Sequence, residues 1–186
     1  MERHKTSLPG AVVLVPTVHR DERGFFQETF RREEFARLGL TDEFVQENHS
    51  RSARGVLRGM HLQLGAGIAK LVRCARGEIL DVIVDVRHGS PTFGRWEAFT
   101  LDDRDHRQLY VPVGFAHGFC VLSEIADVLY RQTGYYDPAL ERGIAYDDPQ
   151  VAIDWPAGIE FTVSERDRHA PTLAQLAPEL PFRHTA

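Results

Sequence analysis

The sequence predicts an all-β fold, a sandwich or barrel, in one domain covering residues 1–186. Three observations carry this. Residues 70–76 and 79–86 alternate with the period of two that strands require. Further β-rich runs recur at 108–113, 118–122 and 126–133, each bounded by Gly, Pro or acidic residues. Helical signals are confined to one short segment and one pattern in the tail. Many short strands can hide their apolar faces only by stacking sheets or closing one on itself, and 186 residues supply one such core rather than two.

After a polar lead, residues 11–15 form a β-branched run closed by Pro16, and DERG at 21–24 is a turn cluster. A strand over 24–30 would put Phe26, Glu28 and Phe30 on one face. The acid between two rings reads equally as a strand-edge carboxylate and as a ligand contact. RREEFARL at 31–38 predicts a short helix stopped by Gly39. In 70–76, Lys70, Val72 and Cys74 share a face; in 79–86, Leu80, Val82, Val84 and Val86 form a continuous apolar one, with Arg76, Gly77 and Glu78 as the turn between. From residue 143 the chain is turn-rich, with Pro149, Pro156, Pro171, Pro178 and Pro181. Its one helical pattern is a capping box at 172–175 that Pro178 soon ends, and this tail is expected on the outside of the barrel.

With 42% hydrophobic and 26% charged residues the chain reads as globular. A net charge of −5 argues against a general nucleic-acid binder, although Arg51, Arg54, Arg58, Arg73 and Arg76 could form a local patch. The leading MERHKTSLPG has no signal-peptide apolar region and no run reaches membrane-span length, so a cytoplasmic protein without a membrane partner is expected. Cys74 and Cys120 lie in apolar runs without a CxxC partner and are read as buried thiols.

The chemically loaded stretch is 46–70, QENHSRSARGVLRGMHLQLGAGIAK. Cations sit there among Val56, Leu57, Met60 and Leu62, and a buried cation must be paired or must bind an anion. Within it the run ENHSRSARGVLRGMHLQ, with PTFGRW at 91–96 and VGFAHGF at 113–119, resembles the dTDP-4-dehydrorhamnose 3,5-epimerase family, sugar-nucleotide epimerases of the rhamnose pathway. The resemblance runs from DERGFF at Asp21 to SERDRHAP at Ser164, in the family's order. It implies a cupin-type jelly roll, a dTDP-sugar substrate, no cofactor, and a homodimer that exchanges strands.

His61 alone reads as a base candidate or as a satisfied core histidine; the resemblance implies the general base. Arg58 and His61 are three apart and would face opposite sides of an ideal strand, but Gly59 permits a bulge that unites them. Asp167 is implied as the carboxylate that orients His61, while Ser164-x-x-Asp167 also fits a helix start with Asp167 capping. Tyr130, thirteen residues after His117, is implied as the general acid; on residues alone, a tyrosine on a strand with Val128 is more often core packing with its hydroxyl bonded. Lys70 needs a counter-charge beside Val72 and Cys74, and the resemblance implies that it meets the ketone oxygen.

Around the nucleotide the resemblance implies Arg23, Glu28, Gln46, Asn48, Arg58, Glu141 and Arg166, with Tyr136 and Phe26 available to stack on thymine, and His117 is a further substrate-binding candidate. Arginine forks suit a diphosphate. The chain departs from the family in Arg166, where a lysine is usual, and in LQLGAGIAK, one residue short and lacking a proline; Gly65 and Gly67 are read as turn residues. No metal is expected, because His61 is followed by Leu62 and Gln63 and not by the HxH pair of metal-binding cupins. Two alternatives stand beside the double epimerase: an enzyme acting at C3 or C5 alone, for an antibiotic sugar, and a cupin of another class, either a non-catalytic sugar-nucleotide binder or a metal-dependent dioxygenase. The missing HxH weighs against the dioxygenase.

Overall fold

In the computed structural model, which describes residues 1–184, the chain opens with β1 (Glu2–Lys5) and β2 (Val12–Val15), followed by a hairpin of β3 (Val18–Asp21) and β4 (Gly24–Gln27). Helix α1 (Arg32–Arg37) leads to the long strands β5 (Gln46–Ala53), β6 (Val56–Gln63), β7 (Lys70–Arg76) and β8 (Glu78–Asp85). Then come β9 (Trp96–Asp102), β10 (Gln108–Val111), β11 (Phe115–Val121), β12 (Ile125–Gln132), β13 (Glu141–Gly143) and β14 (Thr162–Val163). Short helices α2 (Glu165–Arg168) and α3 (Leu173–Leu176) and a 3₁₀ turn (Ala177–Glu179) close the described chain. No helix is long and apolar enough to cross a membrane.

One sheet has the order β1-β2-β10-β7-β12-β5; the other runs β13-β6-β11-β8-β9, with β14 added parallel to β6. They stack as the all-β jelly roll that the sequence predicts. Val72, Cys74, Leu109, Val111 and Val128 of the first sheet meet Ile79, Ile83, Leu101, Phe115, Phe119 and Val121 of the second. Along β7 the inward side chains change from Cys74 and Val72 to Lys70, and along β12 from Val128 to Tyr130 and Gln132. The dry core therefore fills one end of the sandwich and leaves the other polar.

Both outer faces are covered in part. The continuous apolar face of β8 packs under Leu173, Leu176, Leu180 and Phe182 of the tail, as expected, and its opposite face enters the core. The capping box at α3 is present, Thr172 and Gln175 each bonding the other's backbone. On the first sheet, Val12, Leu14 and Leu71 lie under Phe35 and Leu40 of the α1 region. Gly39 (φ 78°) stops α1: its N–H bonds to Ala36 O at 3.0 Å and that of Leu40 to Phe35 O at 2.9 Å, a Schellman turn closed by the Phe35–Leu40 contact.

Two expectations change. The strand expected over 24–30 ends at Gln27, so Phe26, Glu28 and Phe30 do not share a strand face. Thr29 O accepts from Gln108 Nε2 at 2.9 Å, and Phe30 turns inward against Phe35 and Phe44. β9 was not among the expected strands; it completes the second sheet beside β8.

Candidate active site

The polar end of the sandwich is a cavity of about 880 Å³, within the range of small-molecule sites. Its wall on the second sheet is set by a break in register. Facing β11, His61 pairs with His117 and Arg58 with Phe119, so three steps on β6 match two on β11. That extra residue reverses the parity, and Arg58 and His61 both line the cavity while Met60 and Leu62 turn outward. Glycine is required at the break: Gly59 has φ 136°, and a Cβ there would lie 2.5 Å from Gly118 Cα.

Ser164 caps α2 through its Oγ, which accepts from the Asp167 N–H at 3.1 Å. The cap frees the Asp167 side chain, whose Oδ1 lies 2.6 Å from His61 Nε2. Arg166 Nη2 is also 2.8 Å from that nitrogen, and one nitrogen cannot both donate and accept. The carboxylate is the stronger partner, and Arg166 has Glu141 to pair with. Nε2–H thus donates to Asp167, which leaves the basic lone pair on Nδ1. Burial pushes the Asp167 carboxyl up, but the bond and charge of His61, with the Gly59 N–H and the Ser164 side chain, outweigh it and hold the group below its ordinary range.

Tyr130 and Lys70 stand on the facing sheet, with Lys70 Nζ 5.9 Å from the Tyr130 ring centre. Burial, with the charge of Glu141, raises the Tyr130 pKa, so the phenol keeps its proton at neutral pH. Burial pushes Lys70 down to about 8, and the carboxylates of Asp81 and Glu141 offset part of that shift. A base thus faces a protonated phenol across the cavity, with an ammonium between the sheets.

Toward the mouth, the Tyr136 hydroxyl donates to Glu141 at 2.7 Å and its N–H to Gln46 Oε1 at 3.1 Å, while Gln46 Nε2 donates to Asn48 at 3.0 Å. Arg166 pairs with the same Glu141. Arg58 donates to Ser52 Oγ at 3.1 Å and has no carboxylate in ion-pair range among the described residues, so it is free to take a ligand anion. His117 lies deeper, bonded to Asp81. Gly65 and Gly67 are turn residues with φ of 69° and 74°, and the loop they shape sends Ile68 into the wall.

Arg23, Phe26 and Glu28 are not part of this cavity. They sit on or beside the β3–β4 hairpin, where Arg23 pairs with Asp21, Glu28 with Arg31 at 3.3 Å, and Phe26 is 71% exposed. Sequence reasoning also missed residues. Gln63 and Gln132 line the cavity, and each follows by two a residue that was singled out, which is the signal strand parity offers. Among the described residues no group of three or more His, Cys, Asp or Glu could hold a metal ion.

A family profile described as dTDP-4-dehydrorhamnose 3,5-epimerase matches residues 5–175. The dTDP-4-dehydrorhamnose 3,5-epimerase of Pseudomonas aeruginosa is 46% identical over 175 residues, 94% of this chain and 97% of that one. A dTDP-6-deoxy-D-glucose-3,5-epimerase of Legionella pneumophila, solved with dTDP-4-keto-L-rhamnose, superposes with a TM-score of 0.96 at 46% identity, covering 100% of this chain and 99% of that one. A 4-keto-6-deoxy sugar epimerase from the novobiocin biosynthetic gene cluster of Streptomyces spheroides gives 0.93 at 41%, over 98% and 93%. With its sequence and its jelly roll matched along nearly the whole length of such relatives, the chain belongs to the dTDP-4-dehydrorhamnose 3,5-epimerase family.

Proposed function

We propose that this protein epimerises a dTDP-4-keto-6-deoxyhexose at C3 and C5, converting the D-glucose-derived ketone to the L-rhamnose type. One observation carries the reading: the His61–Asp167 pair and the protonated Tyr130 oppose each other across one cavity, with the Lys70 ammonium available between them. A proton beside a ketone is removable only when the enolate is stabilised. His61 Nδ1 takes the proton, Lys70 meets the enolate oxygen, and Tyr130 returns a proton to the opposite face. The step moves protons alone, and these residues suffice for it.

Arg58 and Arg166 would hold the diphosphate, and Tyr136 would stack on the thymine at the mouth. The rest of the nucleotide end is proposed to come from a second copy of the chain. Phe25 and Phe26 are 52% and 71% exposed on a hairpin outside both main sheets, and a homodimer that lays this hairpin over its partner's cavity would deliver Phe26, Arg23 and Glu28 there. The whole chain would act as one domain in the cytoplasm. The relatives at 46% identity are both named 3,5-epimerases, which supports action at both centres.

Turnover of dTDP-4-keto-6-deoxyglucose in deuterated water tests this. The wild-type protein should give the L-rhamnose-type ketone with deuterium at C3 and C5; label and inversion at a single centre would establish the monoepimerase instead. Tyr130→Phe should wash deuterium into recovered substrate from the His61 side and form product about 10²–10⁴-fold more slowly. Product formation at the wild-type rate would reduce Tyr130 to packing and make Tyr136 the next acid to test.

A further inference from the structure

One buried ion has no part in the steps above. Asp81 lies on the inner face of β8 between Ile79 and Ile83, fully buried, with an apolar residue on either side of it along that face. Its two oxygens are each 3.0 Å from His117 Nε2, its one side-chain hydrogen-bond donor among the described residues. The register explains the contact: Asp81 pairs with Phe119 across β8 and β11, and His117 is its diagonal neighbour on the same face. Burial drives His117 toward the neutral imidazole, against the pull of Asp81. A buried carboxylate with a single neutral donor is under-compensated, because a desolvated charge needs an opposite charge as well as hydrogen bonds.

The cation that faces it is Lys70. The groups around the Lys70 ammonium are Asp81 from β8, Glu141 from β13, His117 from β11 and the Tyr130 ring from β12; His117 in turn faces Asp81, Lys70 and His61. Glu141 is already engaged by Arg166 and Tyr136, so Asp81 is the carboxylate whose charge is left for the lysine. We propose that Asp81 is a positioning residue acting through two neighbours: it fixes His117 as the Nε2–H tautomer, leaving Nδ1 as an acceptor for the substrate, and it supplies a buried counter-charge to Lys70. The consequence for catalysis rests on the epimerase reading; the tautomer and the lysine charge do not.

The chain has only two lysines, Lys5 and Lys70, so ¹³C-lysine labelling gives two side-chain signals to follow against pH without substrate. Lys70 should titrate near 8 in the wild-type protein. Asp81→Asn should lower its midpoint by about one unit or more, and Asp81→Glu should bring it back toward the wild-type value. The ammonium is lost as pH rises through this midpoint, so the alkaline limb of kcat/KM should move down with it. ¹⁵N-histidine spectra of the wild-type protein should show His117 protonated on Nε2. An unmoved Lys70 midpoint in Asp81→Asn overturns the proposal, as does a His117 proton on Nδ1, which is read without any variant should Asp81→Asn fail to fold. A purely structural Asp81 would lower kcat and leave the alkaline limb in place. Should both spectra behave as expected while no keto sugar turns over, the epimerase reading falls and the assignment of Asp81 to these two neighbours stands.

Discussion

The cavity wall and the β3–β4 hairpin carry the same kinds of side chain, arginine, glutamate and aromatic rings, in opposite circumstances. In the cavity such groups are braced from other elements: Tyr136 and Arg166 share Glu141, and Asp167 reaches His61 from a capped helix. On the hairpin Arg23 meets only Asp21, two residues away, and Phe26 meets solvent. Groups that must act on reacting atoms need fixed geometry, which sheet register supplies. Groups that only grip a nucleotide can be delivered by a second body. The wall should therefore govern kcat and the hairpin KM.

The largest expected effect breaks the wall at its base. His61→Asn should abolish nearly all turnover, on the order of 10⁴-fold, yet bind dTDP as the wild type does, because the nucleotide contacts lie elsewhere. Loss of dTDP affinity in a titration of this variant would make His61 structural. Asp167→Asn comes next, with kcat reduced at least about 10²-fold as the imidazole loses its orienting anion. The α2 cap belongs to Ser164, so the melting temperature should hold nearly constant. A variant with wild-type rate would return Asp167 to a helix-start role.

Ser164 and Asp167 show how far sequence could reach. The spacing offered two readings, a helix start or an orienting carboxylate, and the structure realises both at once: Ser164 caps and the Asp167 side chain is thereby free to meet His61. The strands over 70–76 and 79–86 were legible because one face of each is periodic, the inward face in the first and the face under the tail in the second. β9 was not, since Trp96, Glu97, Ala98 and Phe99 are all half-buried and give no clean alternation. Asp81 carried a signal that went unread, an acid inside ILDVIVD, because a charge in a run buried on both faces requires a partner that only the register with β11 reveals. The placement of Arg23, Phe26 and Glu28 was illegible for another reason: local pattern says that a hairpin exists, and nothing in it says whose cavity the hairpin serves.

The smallest expected effect decides that last point. Phe26→Ala should raise KM about tenfold, in the range of one lost stacking contact, and leave kcat nearly unchanged. A hairpin folding over its own cavity would behave the same, so the single variant does not separate the two arrangements. Mixing subunits does. In a dimer of one Phe26→Ala chain and one His61→Asn chain, a hairpin that crosses to the partner brings an intact Phe26 to the cavity that still holds His61, which creates one fully wild-type site. Co-refolding the two variants should then yield a population with wild-type KM that neither possesses alone. If hairpins serve their own cavities, each site of the mixed dimer keeps one defect, and the only activity recovered would carry the raised KM of Phe26→Ala.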